Sequence, residues 1–308
     1  MNNENQEHYS VMLTEVVESL QVKPDGVYVD LTLGMGGHSS HILKKLSDEG
    51  HLYSFDKDEY AINQSQKRLS QIAPNFTLIR SDFKDIKAQL MARGVDQVDG
   101  IIADLGVSSP QLDQAARGFS YNKDAELDMR MDQDQLLTAQ TIVNNYSEAE
   151  LVDILIKNAD VKLARQVAKA IIKNRPINST LELVDVVKSA YPASLLRAKN
   201  PAKAIFQAIR IEVNNELDSL RQVLRDATSM LKPGGVLSII TFHSIEDKIV
   251  KNFFGDLIKD KHHAKLPIIE QKDFIAKQVK PSEKEIAENR RSRSAKLRYL
   301  IKLSKNDK

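Results

Sequence analysis

The sequence predicts an α/β protein, a doubly wound and mainly parallel sheet interrupted by an inserted helical sub-domain. Three observations predict it. Over the first 110 residues, short apolar and β-branched runs alternate with segments of helical spacing, the pattern of a parallel sheet covered by helices on both faces. From Pro110 to about Ile209 the spacing is helical throughout. A strand signal then returns at Val236. The 308 residues suffice for one large domain and a sub-domain. The expected division is 1–110 with 210–308 for the sheet domain and 111–209 for the helical insertion.

The elements follow in order. Residues 27–33 form a first strand that runs into Gly34, and 38–46 has helical spacing through Ile42, Leu43 and Leu46. Residues 51–55 are a second strand, 59–72 a helix stopped before Pro74, 75–79 a third strand, 83–91 a helix and 98–103 a fourth strand. In the insertion, Leu151, Ile154 and Leu155, then Val167 and Ile171, then Leu183, Val186 and Val187 mark successive helices. Residues 204–231 read as one long amphipathic helix. A Lys232-Pro233-Gly234-Gly235 turn leads into a fifth strand, 236–242, and then a helix over 245–258. The stretch 259–294 reads as polar loop, and 297–303 as a last strand.

Composition excludes several chemistries. Cysteine is absent, which removes disulfides, thiolate metal sites and cysteine nucleophiles. Tryptophan is absent too, so any stacking on a base falls to Tyr, Phe, His or Arg. Residues 1–8 are polar and acidic, and no apolar run approaches the roughly 18 residues of a membrane span. A soluble, non-exported, cytoplasmic protein is expected. Net charge is only +2, but its distribution is uneven. Residues 111–160 carry four basic and ten acidic side chains, 161–210 ten basic and two acidic, and 280–308 ten basic and four acidic. Two basic segments in a near-neutral chain suit a nucleic-acid footprint, though solvated helix faces would leave the same mark.

The turn after the first strand narrows the cofactor. Asp30, Gly34, Gly36 and Gly37 follow a strand and open a helix, where glycines let backbone approach a ligand and the helix end offers unpaired N–H groups. A dinucleotide fingerprint would need a third glycine at the position of Ser39, so it fails. S-adenosylmethionine fits better: an acid on strand one, spaced glycines, then Asp56 closing strand two, where a carboxylate can hold both ribose hydroxyls. Ser81, Asp82 and Phe83 follow strand three, where an adenine would lie, and Asp104 ends strand four. Ligands of open α/β sheets bind beyond such strand ends. His38 and His41 share one helical turn without a third ligand nearby, so no metal is expected. The His262–His263 pair reads as a solvated loop. His243, Ser244, Glu246 and Asp247 have the residue types of a hydrolytic triad, but neighbours in sequence cannot make its relay, and a supporting or substrate-pocket place is expected for His243.

At DLGVSSPQLD, beginning at Asp104, the pattern becomes specific. Together with VDLTLGMGGHS from Val29, RGFS from Arg117, LDMRMD from Leu127, ITFHSIED from Ile240 and NRRSRSAKLR from Asn289, it closely resembles the bacterial MraW/RsmH family of small-subunit ribosomal RNA cytosine-N4 methyltransferases. The resemblance spans nearly the whole chain, from His8 and Tyr9 to Arg298. It implies a class I S-adenosylmethionine-dependent methyltransferase fold, S-adenosyl-L-methionine as donor, and a decoding-region cytidine of 16S rRNA within the small ribosomal subunit as acceptor. Carried over residue by residue, it places the cofactor contacts on Gly36, Gly37, His38, Asp56, Phe83, Asp104 and Gln111. It also implies a structural place in the insertion for the acidic stretch 124–132. The oligomeric state is not legible; a homodimer is compatible with the sequence.

The residues themselves bear on mechanism. Methylation at cytosine C5 ordinarily needs a cysteine adduct at C6, which this chain cannot supply, whereas N4 can accept a methyl group in line if nitrogen, carbon and sulfur are held in register. Ser109, before Pro110, is expected near the target amine; that Ser108 and Ser109 merely cap a turn stays open. The basic segments 162–210 and 290–298 are expected to contact phosphate, with Arg290, Arg291 and Arg293 at the mouth of the site, and Phe119 or Tyr121 to hold the extruded base. Two other readings remain: a non-catalytic ribosomal RNA-binding protein on this fold, disfavoured by the intact strand-end residues, and a methyltransferase acting on protein or a small molecule, disfavoured by the basic segments.

Overall fold

The computed structural model of the chain describes residues 10–198, 200–259 and 272–304. The polar stretch 1–8, Tyr9 and the pair His262 and His263 lie outside the described residues. The chain divides into two compact units, 1–106 with 219–308, and 107–218. The helical unit is thus wider at both ends than the expected 111–209.

In the first unit an amphipathic helix, α1 (Leu13–Leu20), precedes the sheet, an element the sequence does not lead one to expect. β1 (Val27–Asp30), α2 (Gly37–Leu43), β2 (His51–Asp56), α3 (Glu59–Leu69), β3 (Phe76–Arg80), α4 (Ile86–Met91) and β4 (Val98–Asp104) then alternate as expected. A 3₁₀ turn, Phe83–Asp85, replaces the first turn of the helix expected over 83–91, with the Asp82 side chain accepting from the Lys84 N–H. β4 is buried along nearly its whole length, its Ile101, Ile102 and Ala103 without polar alternation, as a strand covered on both faces is.

The second unit holds α5 (Ser109–Asp113), α6 (Ala139–Asn145), α7 (Glu148–Ala159), α8 (Ala164–Lys173), α9 (Thr180–Ser189), α10 (Ala193–Ala198) and α11 (Ala202–Asn214). Its core gathers Leu151, Leu155, Val167, Ile171, Leu183 and Val187 with Ile205 and Ile209 of α11, the positions that carry the helical periodicity. The LDMRMD segment is structural here. Leu127 and Met129 are buried, Asp128 holds the Arg130 guanidinium at 2.9 Å, and Asn214 accepts from Met131 N–H and donates to Met129 C=O, both at 2.8 Å.

The chain does not continue as one long helix over 204–231. It breaks at Asn215, in the left-handed region at φ 50°, a conformation asparagine tolerates better than most residues. α12 (Glu216–Met230) then leads back to the sheet, with the unit division at 218/219. β5 (Leu231–Thr241) contains the Lys232–Gly235 stretch as an irregularity: its register against β4 jumps from Val98↔Leu231 to Gly100↔Val236. α13 (Ser244–Ile258) follows. The stretch expected to be loop holds β6 (Phe274–Val279) and α14 (Glu283–Glu288) before β7 (Lys296–Lys302). β6 was not legible because it is an edge strand with little burial, so it lacks the apolar run that marks central strands.

The sheet order is β3-β2-β1-β4-β5-β7-β6. β1 to β5 are parallel, and β7 runs antiparallel between β5 and β6. Its faces separate cleanly. Val29, Ile101, Ala103, Leu237 and Ile239 pack with α4, α12 and α13 on one side, and Tyr28, Ile102, Val236 and Ile240 with α1, α2 and Leu69 of α3 on the other. Among the described residues no helix is long and apolar enough to cross a membrane.

Candidate active site

The strand order reverses between β1 and β4, which leave the sheet centre in opposite directions of winding and open a crevice beyond their carboxyl ends. The loop leaving β1 there is shaped by its glycines. Gly36 caps α2 at φ 73°, and a Cβ on it would come within 3.0 Å of the Ser65 hydroxyl, so both conformation and space call for glycine.

Buried carboxylates hold this loop. Asp30, at the end of β1, accepts from Thr32 N–H at 3.0 Å and from the Ser39 hydroxyl at 2.7 Å, and Ser39 also meets the Ser54 hydroxyl at 2.9 Å. Asp56, at the end of β2, accepts from Gly34 N–H and from Asp58 N–H, each at 2.9 Å. The Thr32 hydroxyl accepts from Asp104 N–H at 2.6 Å, joining the loop to the end of β4. Burial pushes both Asp30 and Asp56 up to about 6. Asp104 is raised well above the ordinary carboxylate range, first by burial and then by repulsion from Asp30 and Glu246. Its Oδ1 is buried without a hydrogen-bond partner among the described residues, and its Oδ2 lies 3.9 Å from His38 Nδ1. His38 is buried in α2 with Nε2 3.0 Å from Val11 C=O, and burial pulls its imidazole down to about 4. It therefore stays neutral near pH 7 and leaves the Asp104 carboxyl uncompensated.

The expected site residues thus fall into groups. Gly36, Gly37, His38, Asp56 and Asp104 come together at the ends of β1, β2 and β4. Phe83 opens the 3₁₀ turn after β3, at the margin of the sheet core. Asp82 beside it is occupied by the chain itself: one oxygen accepts from Lys84 N–H, and the other from Lys57 Nζ at 3.2 Å and the Ser219 hydroxyl at 3.1 Å. Gln111 is drawn into a helix cap, its Oε1 accepting from Ser108 N–H at 2.9 Å, and Ser109 opens α5. Phe119 is corrected as a base-holding aromatic. It is 6% exposed in the core of the helical unit, with the Arg117 guanidinium 5.9 Å from its ring centre. Tyr121 packs edge-on against Phe206. Arg290, Arg291 and Arg293 are exposed on the 3₁₀ turn Arg290–Ser294.

Sequence reasoning missed the roles of Thr32 and Ser39, which link the acids into a network, and of Glu246. Glu246 is buried, accepts from Phe242 N–H at 3.0 Å, and has Oε1 3.0 Å from His243 Nε2. The available signal was a polar residue three positions after the residue that starts the helix following β5. His243 is that N-cap, its Nδ1 accepting from Glu246 N–H. Asp247 pairs with Lys296 at 2.9 Å and Arg298 at 2.7 Å, which holds its carboxyl below the usual range.

This sheet order, with one antiparallel strand beside β5 and acids at the parallel strand ends, defines a class I methyltransferase fold. The chain belongs to the MraW methylase family, whose family model matches residues 5–303. Relatives named ribosomal RNA small subunit methyltransferase H include that of Mycoplasmopsis agalactiae, 60% identical over 296 residues covering 96% of this chain and 98% of the relative. That of Mycoplasmopsis pulmonis is 56% identical over 296 residues, covering 96% and 99%. That of Metamycoplasma arthritidis is 57% identical over 286 residues, covering 92% and 100%.

Proposed function

We propose that this methylase transfers a methyl group from S-adenosyl-L-methionine to the exocyclic N4 amine of a cytidine in the decoding region of 16S rRNA, within the small ribosomal subunit. The observation that carries the donor assignment is the buried, unpartnered Oδ1 of Asp104 beside a glycine loop pinned by Asp30 and Asp56. A buried acceptor without a partner is costly, and a cationic donor with hydroxyl and amine groups supplies what it lacks. Gly36, Gly37, His38, Asp56, Phe83 and Asp104 would hold that donor. The rRNA assignment follows the names of the relatives, and the choice of N4 over C5 follows from the absence of cysteine.

When bound, the donor supplies an electrophilic methyl group on a positively charged sulfur. The chain's part is to bind and orient. Asp56 offers its remaining lone pairs to the ribose diol while keeping Gly34 in place. Asp104 places a buried carboxyl at the end of β4, where burial and its acidic neighbours disfavour its charge and a bound cation would favour the ionised form and be attracted to it. Ser109, five residues further along the chain, is proposed to accept a hydrogen bond from the amine, so that the nitrogen lone pair is freed from the ring as the nitrogen gains a methyl group and loses one proton to solvent. Holding the reacting atoms in line supplies much of the rate.

The test is transfer of labelled methyl from the donor to small subunits lacking the modification, followed by nucleoside analysis of the RNA. Label in N4-methylcytidine is expected. Binding of subunits without transfer would establish the non-catalytic reading instead, and label in protein or in another nucleoside would overturn the acceptor.

A further inference from the structure

The basic segment 161–210 is not a uniform charge. The structure divides it. Arg175 is used internally, donating from Nε to Val143 C=O at 2.7 Å. Arg210 is paired with Glu216 at 2.8 Å, and Lys188 lies 3.8 Å from Asp185. Around α8 the arrangement differs. Arg165, Lys169 and Lys173 follow one another at intervals of four residues, and Lys162 stands in the turn just before the helix. All four are exposed. None of them makes an ion pair or side-chain hydrogen bond among the described residues.

Steps of four residues turn a helix by about 40° each, so the three helical cations share one face over about 12 Å. The opposite face is committed, because Ala164, Val167, Ala168 and Ile171 are buried in the core of the helical unit. The cationic face is therefore held outward rather than free to roll. No acid occurs between Asp160 and Glu182. Like charges four apart on a helix work against its stability, and here nothing from the chain relieves them.

We propose that the outer face of α8, with Lys162, Arg165, Lys169 and Lys173, is a phosphate-binding strip that carries the RNA backbone of the acceptor. It rests on the reading that the acceptor is ribosomal RNA. The strip positions the substrate without reading its sequence, since a row of exposed cations meets the phosphates, while the deep and narrow major groove of an RNA helix keeps side chains from base edges. It is separate in sequence from the arginines at 290–293 and supplies a second hold on the RNA.

The test compares three full-length proteins: wild type, a strip variant (Lys162→Gln, Arg165→Gln, Lys169→Gln and Lys173→Gln), and a control with the same loss of charge on other exposed lysines (Lys44→Gln, Lys45→Gln, Lys67→Gln and Lys87→Gln). Binding to naked 16S rRNA and to small subunits is titrated across salt, and donor affinity is measured by calorimetry. For the strip variant the salt slope is expected to fall by about one unit for each phosphate left without its cation. Its apparent KM for RNA should rise about tenfold or more, with kcat at saturating RNA and donor affinity unchanged; the control should behave as wild type. An unchanged slope and KM in the strip variant, or an equal loss in the control, overturns the proposal. So does a strip variant that keeps its RNA affinity while losing affinity for vesicles of anionic lipid. If wild type itself transfers no methyl group to RNA, the acceptor reading fails, whatever the strip does to binding.

Discussion

Asp56 Oδ2 accepts a hydrogen bond from the Gly34 N–H at 2.9 Å, so the side chain that ends the second strand fixes the loop that leaves the first. The same carboxylate, through Oδ1, accepts from Asp58 N–H, and the Asp58 side chain in turn caps α3 by accepting from Tyr60 N–H. One acid thus sets both the loop and the start of the next helix.

Asp56→Ala is expected to weaken S-adenosylmethionine binding by about 2–3 kcal/mol, through loss of charge-assisted bonds and of the Gly34 anchor. Calorimetry on the folded variant checks it. An unchanged dissociation constant would take Asp56 out of the donor site.

Ser39→Ala removes the hydroxyl that Asp30 Oδ2 accepts from and that meets Ser54. It leaves a buried carboxylate oxygen short of a donor, at an expected cost of about 1–3 kcal/mol. Denaturant unfolding should show the midpoint shifted down. A midpoint equal to wild type would mean that water or backbone replaces the hydroxyl.

The raised Asp30 carboxyl gives a signed pH prediction. Its folded value is about 6 against an ordinary 3.8, so between those values the folded state holds a proton that the unfolded chain has released. Its contribution to stability falls as pH rises from about 4 to about 6 and is level above that. His38 acts oppositely. Its folded value of about 4 lies below the ordinary 6.5, so its contribution is lost as pH falls from 6.5 toward 4. The stability of Asp30→Asn relative to wild type should therefore gain by up to about 1.4 kcal/mol per pH unit across the window from about 4 to about 6. A pH-independent difference between the two proteins counts against a raised Asp30.

Arg290→Ala with Arg293→Ala removes two exposed cations from the turn before β7. The apparent KM for RNA should rise and the salt slope flatten by about one unit for each phosphate these arginines neutralise, with donor affinity unchanged. A parental slope would leave these arginines outside the RNA path.

The methylated nucleoside should be N4-methylcytidine and never 5-methylcytidine, because the chain holds no cysteine to form the C6 adduct. Mass spectrometry of digested RNA decides it. A 5-methyl product would demand another nucleophile.

The alternation of strands and helices, the glycine turn after Asp30, and the acids at strand ends were all legible along the chain. Each is local: a β-branched run, a glycine where φ must be positive, an acid where a strand stops. Other features depended on partners far away in sequence. The helix expected over 204–231 breaks at Asn215, where Asn214 is occupied by backbone groups of residues 129 and 131, and periodicity alone cannot report such a bond. β6 exists through pairing with β7 rather than through an apolar pattern of its own. Phe119 looked available for stacking beside its glycine, but the fold of the helical unit buries it. Of ten basic residues in one segment, tertiary structure alone separates Arg175 and Arg210, spent inside the unit, from the outward row on α8. The sequence by itself determined which side chains could do this chemistry, because residue type and local spacing are written in it. Only the tertiary structure decided which are spent on holding the fold and which face outward, because hydrogen bonds and burial are made between residues that the chain keeps far apart.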